Sequence, residues 1–219
     1  MRKTALPTLL AAGIASAAFI ASTQAFAYGA GDFFTRVGVA KVEPKSDNGE
    51  VDTALGKFDV DVEDDSAFAF TLGYRFTDKL GVELLAAEPF DHDFTLSAGG
   101  AEIANGSTDH LPPTLTLQYY PLGGTDARVQ PYAGIGVNYT RFSDEEINVP
   151  GVPGASLELD DSWGAAGQLG VDLLIDDNWA LNAAAWYLDI DTDASLNGDD
   201  IGTVEIDPVV VMAGLSFRF

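Results

Sequence analysis

Histidine is scarce in this 219-residue chain: His92 and His110 are its only two, and Asp91, Asp93 and Asp109 flank them. Imidazole beside carboxylate is the raw material of a metal site or of general-base chemistry. Two histidines at the ends of an acidic connection read here as solvent-facing side chains, and no metal is assigned to them. Asp189-Ile190-Asp191-Thr192-Asp193, with Asp200 further on, has the spaced acids of a calcium loop. Ala194 stands where the sharp turn needs Gly, and Asp200 stands where a bidentate Glu would close the shell. A hydrolase or transferase needs a nucleophile, a base and an orienting acid in one cleft. No GxSxG accompanies the histidines, and Gly134-Ile135-Gly136 lacks dinucleotide-loop spacing. The absence of cysteine excludes disulfides and thiolate-bound metals. No catalytic residue and no cofactor are therefore assigned.

Charge narrows the partners. Asp and Glu number 34 against 11 Lys and Arg, a formal net charge of −23. Nucleic acid is excluded as a partner, because phosphate binding needs clustered cations. A lipid surface is compatible only if the acids are held away from it. The acidic residues do collect in a few segments, among them Glu63-Asp64-Asp65, Asp144-Glu145-Glu146 and Asp199-Asp200.

The elements between those segments alternate with a period of two, the mark of a half-exposed strand. Phe68, Phe70, Leu72 and Tyr74 share one face, as do Leu115, Leu117 and Tyr119, and Ala133, Ile135, Val137 and Tyr139. Trp163, Ala165, Leu169, Val171 and Leu173 form another such row. Trp179, Leu181, Ala183, Ala185 and Tyr187 follow, and then Val209, Val211, Ala213, Leu215, Phe217 and Phe219. Phe33 to Val42 and Leu80 to Ala87 complete a set of eight. The opposite faces are mostly small or polar. Eight strands enclose little interior, so the bulky face belongs outside, against lipid. The predicted fold is all-β, an eight-stranded antiparallel transmembrane β-barrel. Short turns at Thr77-Asp78-Lys79 and Asp176-Asp177-Asn178, and a moderately short one over Pro121 to Arg128, would face the periplasm. The long connections 43–66, 91–110, 143–158 and 191–203 would be extracellular loops carrying the acids.

Export fits this reading. Arg2 and Lys3 precede an apolar run from Ala5 to Ala21, and Ala25-Phe26-Ala27 supplies a small-x-small cleavage site. Residues 1–27 are thus expected to be a cleavable signal peptide, and 28–219 an outer-membrane barrel in a Gram-negative cell. The alternating end Leu215-Ser216-Phe217-Arg218-Phe219 resembles the signal by which barrel-assembly machinery recognises its clients, with Phe219 as its last residue.

Several stretches resemble the outer membrane protein W (OmpW) family along nearly the whole mature chain. They are Gly31-Asp32-Phe33-Phe34-Thr35-Arg36, Gly81-Val82-Glu83-Leu84-Leu85-Ala86-Ala87 and His110-Leu111-Pro112-Pro113-Thr114-Leu115. Pro131-Tyr132-Ala133-Gly134, Asp161-Ser162-Trp163-Gly164-Ala165-Ala166-Gly167-Gln168 and Trp186-Tyr187-Leu188-Asp189-Ile190-Asp191 continue the series. The resemblance implies a narrow barrel with an apolar interior, associated with uptake of small hydrophobic compounds. Family members also serve as surface receptors, and the acidic loops of this chain offer that alternative role.

Strand direction sorts the inward residues by height. Arg36, Arg75, Glu83, Asp172 and Arg218 fall near the periplasmic end, where they are expected to pair into a charged plug. Leu85, Trp186, Val210 and Met212 lie higher as an apolar lining, and Leu85 and Trp186 match constriction positions of the family's channel. Pro89, Pro112 and Pro113 stand where the third and fourth barrel strands meet the second long connection. Proline lacks the ladder donor, so these three either only end two strands or leave a gap that serves as a lateral exit into the bilayer.

Overall fold

The computed structural model describes residues 29–219 apart from 47, 54 and 55. The expected signal peptide lies outside the described residues. The chain forms β1 (Phe33–Glu43), β2 (Glu50–Thr53), β3 (Gly56–Val62), β4 (Asp65–Arg75) and β5 (Leu80–Ala87). It continues as β6 (Phe90–Ala98), β7 (Ala101–Leu111), β8 (Thr114–Tyr119), β9 (Val129–Asn148) and β10 (Leu157–Leu159). β11 (Ser162–Leu174), β12 (Trp179–Leu188), β13 (Asp191–Leu196), β14 (Asp199–Glu205) and β15 (Val209–Arg218) complete it.

Eight of these strands close on themselves in the order β11-β12-β15-β1-β4-β5-β8-β9, with β9 returning to β11, and every pairing is antiparallel. Closure leaves no strand of the wall as a free edge, as hydrocarbon requires. No helix among the described residues is long and apolar enough to cross a membrane; the strands make the crossing.

The side chains are sorted the opposite way from a soluble barrel. Trp163 is 74% exposed and Ile135 73%, and Phe68, Leu72, Leu117, Leu169 and Leu181 are also exposed. Such a continuous apolar girdle would aggregate in water and is stable only against lipid. Aromatic rings bound it. Phe33 packs on Tyr74 (4.6 Å) and Trp179 on Phe217 (4.7 Å) at the end with the short turns. Tyr139 packs on Trp163 (4.8 Å) at the other end. From Trp179 to Tyr187 is eight steps of ~3.4 Å, or ~27 Å along the strand. A tilt of ~35–45° shortens this to ~20 Å, close to the apolar band of outer-membrane barrels.

The short turns are fixed by their own side chains. Thr77 Oγ1 accepts from the N–H of Leu80 (2.9 Å), and Asp176 Oδ1 accepts from Asn178 (2.9 Å) and Trp179 (2.8 Å).

The long connections differ from expectation. They are not loops but strands that extend the molecule beyond the membrane. β9 is 20 residues long, and its upper part leaves the barrel to carry the sheet β9-β7-β6-β3-β2. β10, β13 and β14 form a second sheet. The reason is again alternation. Phe58, Val60, Phe90, Phe94 and Leu96 are buried, while Asp59, Asp61, Asp91 and Asp93 between them are exposed. The acids thus form the wet face of an ordered apolar enclosure. Buried Asn48 ties its parts together, accepting from Val62 N–H (3.2 Å) and donating to the Glu205 carbonyl (2.9 Å). Lys45 adds ion pairs to Glu205 and to Asp207 (3.1 Å).

Candidate functional site

Three layers follow one another along the axis. The lowest is a polar cross-brace. Arg36 of β1 reaches over the lumen, donating from Nη1 to Glu83 of β5 and from Nη2 to Asp172 Oδ2 of β11 at 2.7 Å. Nε adds a bond to Asp172 Oδ1 (3.3 Å), and Nη2 one to the Tyr120 hydroxyl (3.2 Å). Glu83 also accepts from Thr71 (2.9 Å), Gln118 (2.8 Å) and Gln168 (2.7 Å), and Asp172 from Asn182 (2.8 Å). The Arg36 guanidinium lies between the rings of Phe34 and Tyr132, 4.4 Å from each centroid. Phe34 rests over Gly73 and Tyr132 over Gly170, positions where a side chain would occupy the ring's place. Arg36, Glu83 and Asp172 are fully buried. One cation between two anions, each carboxylate further hydrogen-bonded, is the arrangement that buried charge needs.

Of the five charges expected here, the structure brings Arg36, Glu83 and Asp172 into direct contact. Arg75 lies just below, its guanidinium 3.6 Å from the centroid of Tyr120 and donating to the Asp78 carbonyl. Arg218 departs from the expected ring. It sits at the periplasmic rim, pairing with Asp32 (3.4 Å) and donating to the Asp177 carbonyl, because it is registered with Phe34, two residues below the level of Arg36. Tyr120, Tyr132, Gln118, Gln168 and Asn182 were missed as members. Gln118, Tyr132, Gln168 and Asn182 lie on inward positions of barrel strands and Tyr120 directly follows β8, and a polar side chain at an inward position was the available signal.

The middle layer is apolar. Leu85, Trp186, Val210 and Met212 are buried together with Ala40, Ala69 and Ala184. Trp186 Nε1 has no hydrogen-bond partner among the described residues. The same apolar cluster runs on upward into the extracellular enclosure. There a narrow cavity of about 80 Å³ is walled by Phe58, Val60, Phe94, Leu157, Ile201 and Val204, among others.

His92 and His110 belong to this upper layer, which corrects the expectation that they face solvent. Each is 2% exposed, on the inner face of β6 and β7 and lining the cavity. The period-two register turns Asp91, Asp93 and Asp109 toward water and the imidazoles inward. Both histidines lie above the outer aromatic belt: His110 is registered with Phe142 of β9, three residues beyond Tyr139. The calcium-like run is part of a hairpin, where Asp193 accepts from the Thr203 hydroxyl (2.7 Å).

Pro89, Pro112 and Pro113 flank an interruption of the wall. The β5–β8 ladder runs from Leu80↔Tyr119 to Leu85↔Thr114, and the β6–β7 ladder begins at Phe90↔His110. Between them, residues 86–89 and 111–113 form no registered pairs with one another. Each side keeps its outer neighbour instead, Glu88 N–H bonding Phe68 O (3.0 Å) and Tyr139 N–H bonding Pro113 O (3.1 Å).

A closed wall, an inverted side-chain polarity and aromatic girdles define an integral outer-membrane β-barrel. Comparison with known proteins then places it: the OmpW family model matches residues 29–219, and the chain belongs to that family. It is 44% identical to outer membrane protein W of Escherichia coli (strain K12), over 90% of this chain and 93% of that one. It is 39% identical to outer membrane protein W of Vibrio cholerae serotype O1, over 94% and 97%. The crystal structure of the outer membrane protein OprG from Pseudomonas aeruginosa superposes with a TM-score of 0.79 at 39% identity, over 88% of this chain and 98% of that one. The protein is accordingly an outer-membrane protein.

Proposed function

We propose that this protein is a passive conduit for small hydrophobic molecules, which enter from outside and leave sideways into the bilayer. The observation that carries the reading is the vertical order of the lumen. The lining of the apolar cavity and the apolar middle layer belong to one buried cluster, which stands on the braced charges of Arg36, Glu83 and Asp172. A hydrophobic solute gains by moving from water into such a lining. It meets a polar floor it cannot cross without breaking buried ion pairs. The unpaired stretch beside Pro89, Pro112 and Pro113 adjoins the middle layer and supplies the way out. No ladder bond across the gap has to break there, because the two stretches are not registered with one another, and Pro89, Pro112 and Pro113 bring no N–H donor to it. Leu85, Trp186, Val210 and Met212 form the constriction, and the exposed Phe219 at the rim is left for the assembly machinery.

The test is uptake of a hydrophobic dye into liposomes holding the protein. Trp186→Arg, which puts a charge in the constriction, should reduce the protein-dependent rate at least tenfold, and Leu85→Asp likewise. Cysteines at Ala87 and Leu111 in this cysteine-free chain should slow uptake when oxidised across the gap and restore it on reduction. Unchanged uptake in the constriction variants would refute the conduit, and unchanged uptake with the gap clamped would refute lateral exit.

A further inference from the structure

The His92–His110 pair is unused by the conduit described above. The rings stack at 4.6 Å, with Phe90 5.5 Å from His110 on one side and Phe142 6.2 Å on another. The pair lines the apolar cavity and stands at its junction with the lateral gap, since His110↔Phe90 is the first registered pair above that gap. A solute passing from cavity to gap therefore passes these imidazoles.

Their chemistry is set by one contact. His92 Nδ1 lies 2.6 Å from the Glu63 carbonyl oxygen. A carbonyl only accepts, so Nδ1 carries the proton, and in the neutral ring Nε2 is left as an acceptor. Neither His92 Nε2 nor His110 Nε2 has a hydrogen-bond partner among the described residues, although both are buried. Burial, with His92 beside it, holds the His110 value down at about 3, so that ring is uncharged in physiological surroundings. An unsatisfied acceptor in an apolar wall is costly unless something that passes can satisfy it.

We infer that the cavity selects hydrophobic molecules carrying a hydroxyl group, which donates its hydrogen bond to Nε2 of His92. This rests on the conduit reading and narrows its solute class. A plain hydrocarbon leaves the acceptor bare. A charged headgroup would be desolvated in the cavity at a cost that one hydrogen bond does not return.

The experiment compares 1-decanol with decane, binding to the whole protein in lipid nanodiscs, each corrected for its own partition into lipid. The wild type is expected to prefer decanol by roughly five- to tenfold, the worth of one hydrogen bond to a buried acceptor. His92→Phe keeps an aromatic wall and should abolish the preference, bringing the decanol-to-decane affinity ratio to about one. His92→Gln, which keeps an acceptor, should retain part of it. In the wild type the ¹⁵N resonance of His92 Nε2 should move with decanol and not with decane. That signal decides alone if a variant fails to fold. Binding of both ligands with no preference and no movement of Nε2 overturns this inference and leaves the conduit standing. Failure of the wild type to bind either ligand overturns both.

Discussion

Arg36 and Asp172, 136 residues apart in the chain, meet across the lumen with Nη2 and Oδ2 2.7 Å apart. The contact joins β1 to β11, which are not neighbours in the wall, so it braces the barrel from within as well as closing it. Removing Arg36 leaves two buried carboxylates without their cation. Arg36→Met is expected to lower unfolding stability by ~3–5 kcal/mol, read from denaturant titration of the folded barrel. Adding Glu83→Gln and Asp172→Asn should recover most of that loss. A single Arg36→Met variant within about 1 kcal/mol of wild type would contradict the brace.

Tyr132 can lie against Arg36 only because Gly170 leaves room: a Cβ at that position would fall 2.2 Å from the ring carbon Cζ. Gly170→Ala is therefore expected to push the ring off the guanidinium and to destabilise by about 1–3 kcal/mol. Gly167, on the same strand, has nothing within 4 Å of its missing Cβ. Gly167→Ala should be neutral to within about 0.5 kcal/mol. Equal effects of the two substitutions in the same titration would refute the account of the seat.

The buried His110 gives the extracellular strands a pH dependence. Burial first, and His92 second, lower its value from 6.5 to about 3. Between those two values the unfolded chain binds a proton that the folded chain does not. The native state therefore loses about 1.4 kcal/mol per unit as pH falls from 6.5 toward 3. Asp109, raised by burial and by Asp91, Asp144 and Asp65, works the other way, because its protonation relieves repulsion. The difference between wild type and His110→Phe separates the two. Amide hydrogen exchange in β6 and β7, corrected for intrinsic rates, should accelerate between pH 6.5 and 4.5 more in wild type than in the variant. Identical pH profiles would contradict the assignment.

The wall was legible in the sequence because lipid imposes a strict rule on it. Phe68, Phe70 and Leu72 had to face outward, and their alternation with small and polar residues showed which face was which. The inward position of Arg36, Glu83 and Asp172 followed from the same parity. The extracellular strands obey a period of two as well, in Phe58-Asp59-Val60-Asp61 and Phe90-Asp91-His92-Asp93. There the outer face meets water, so the acids that mark a strand's wet side resembled the composition of a loop. His92 and His110 were misplaced for that reason. The seat of Arg36 was hidden for another: Phe34 faces Gly73 and Tyr132 faces Gly170 in two separate strand pairs, and only closure of the barrel brings both pairs to one guanidinium.

The most direct test is to measure hydrophobic-solute flux and ion conductance across the same bilayer holding the purified protein. Rapid protein-dependent entry of a hydrophobic dye, with no steady potassium chloride conductance, is the predicted result. A steady ionic current through the barrel, or dye entry no faster than in protein-free membrane, would contradict a dry passage standing on a braced charged floor.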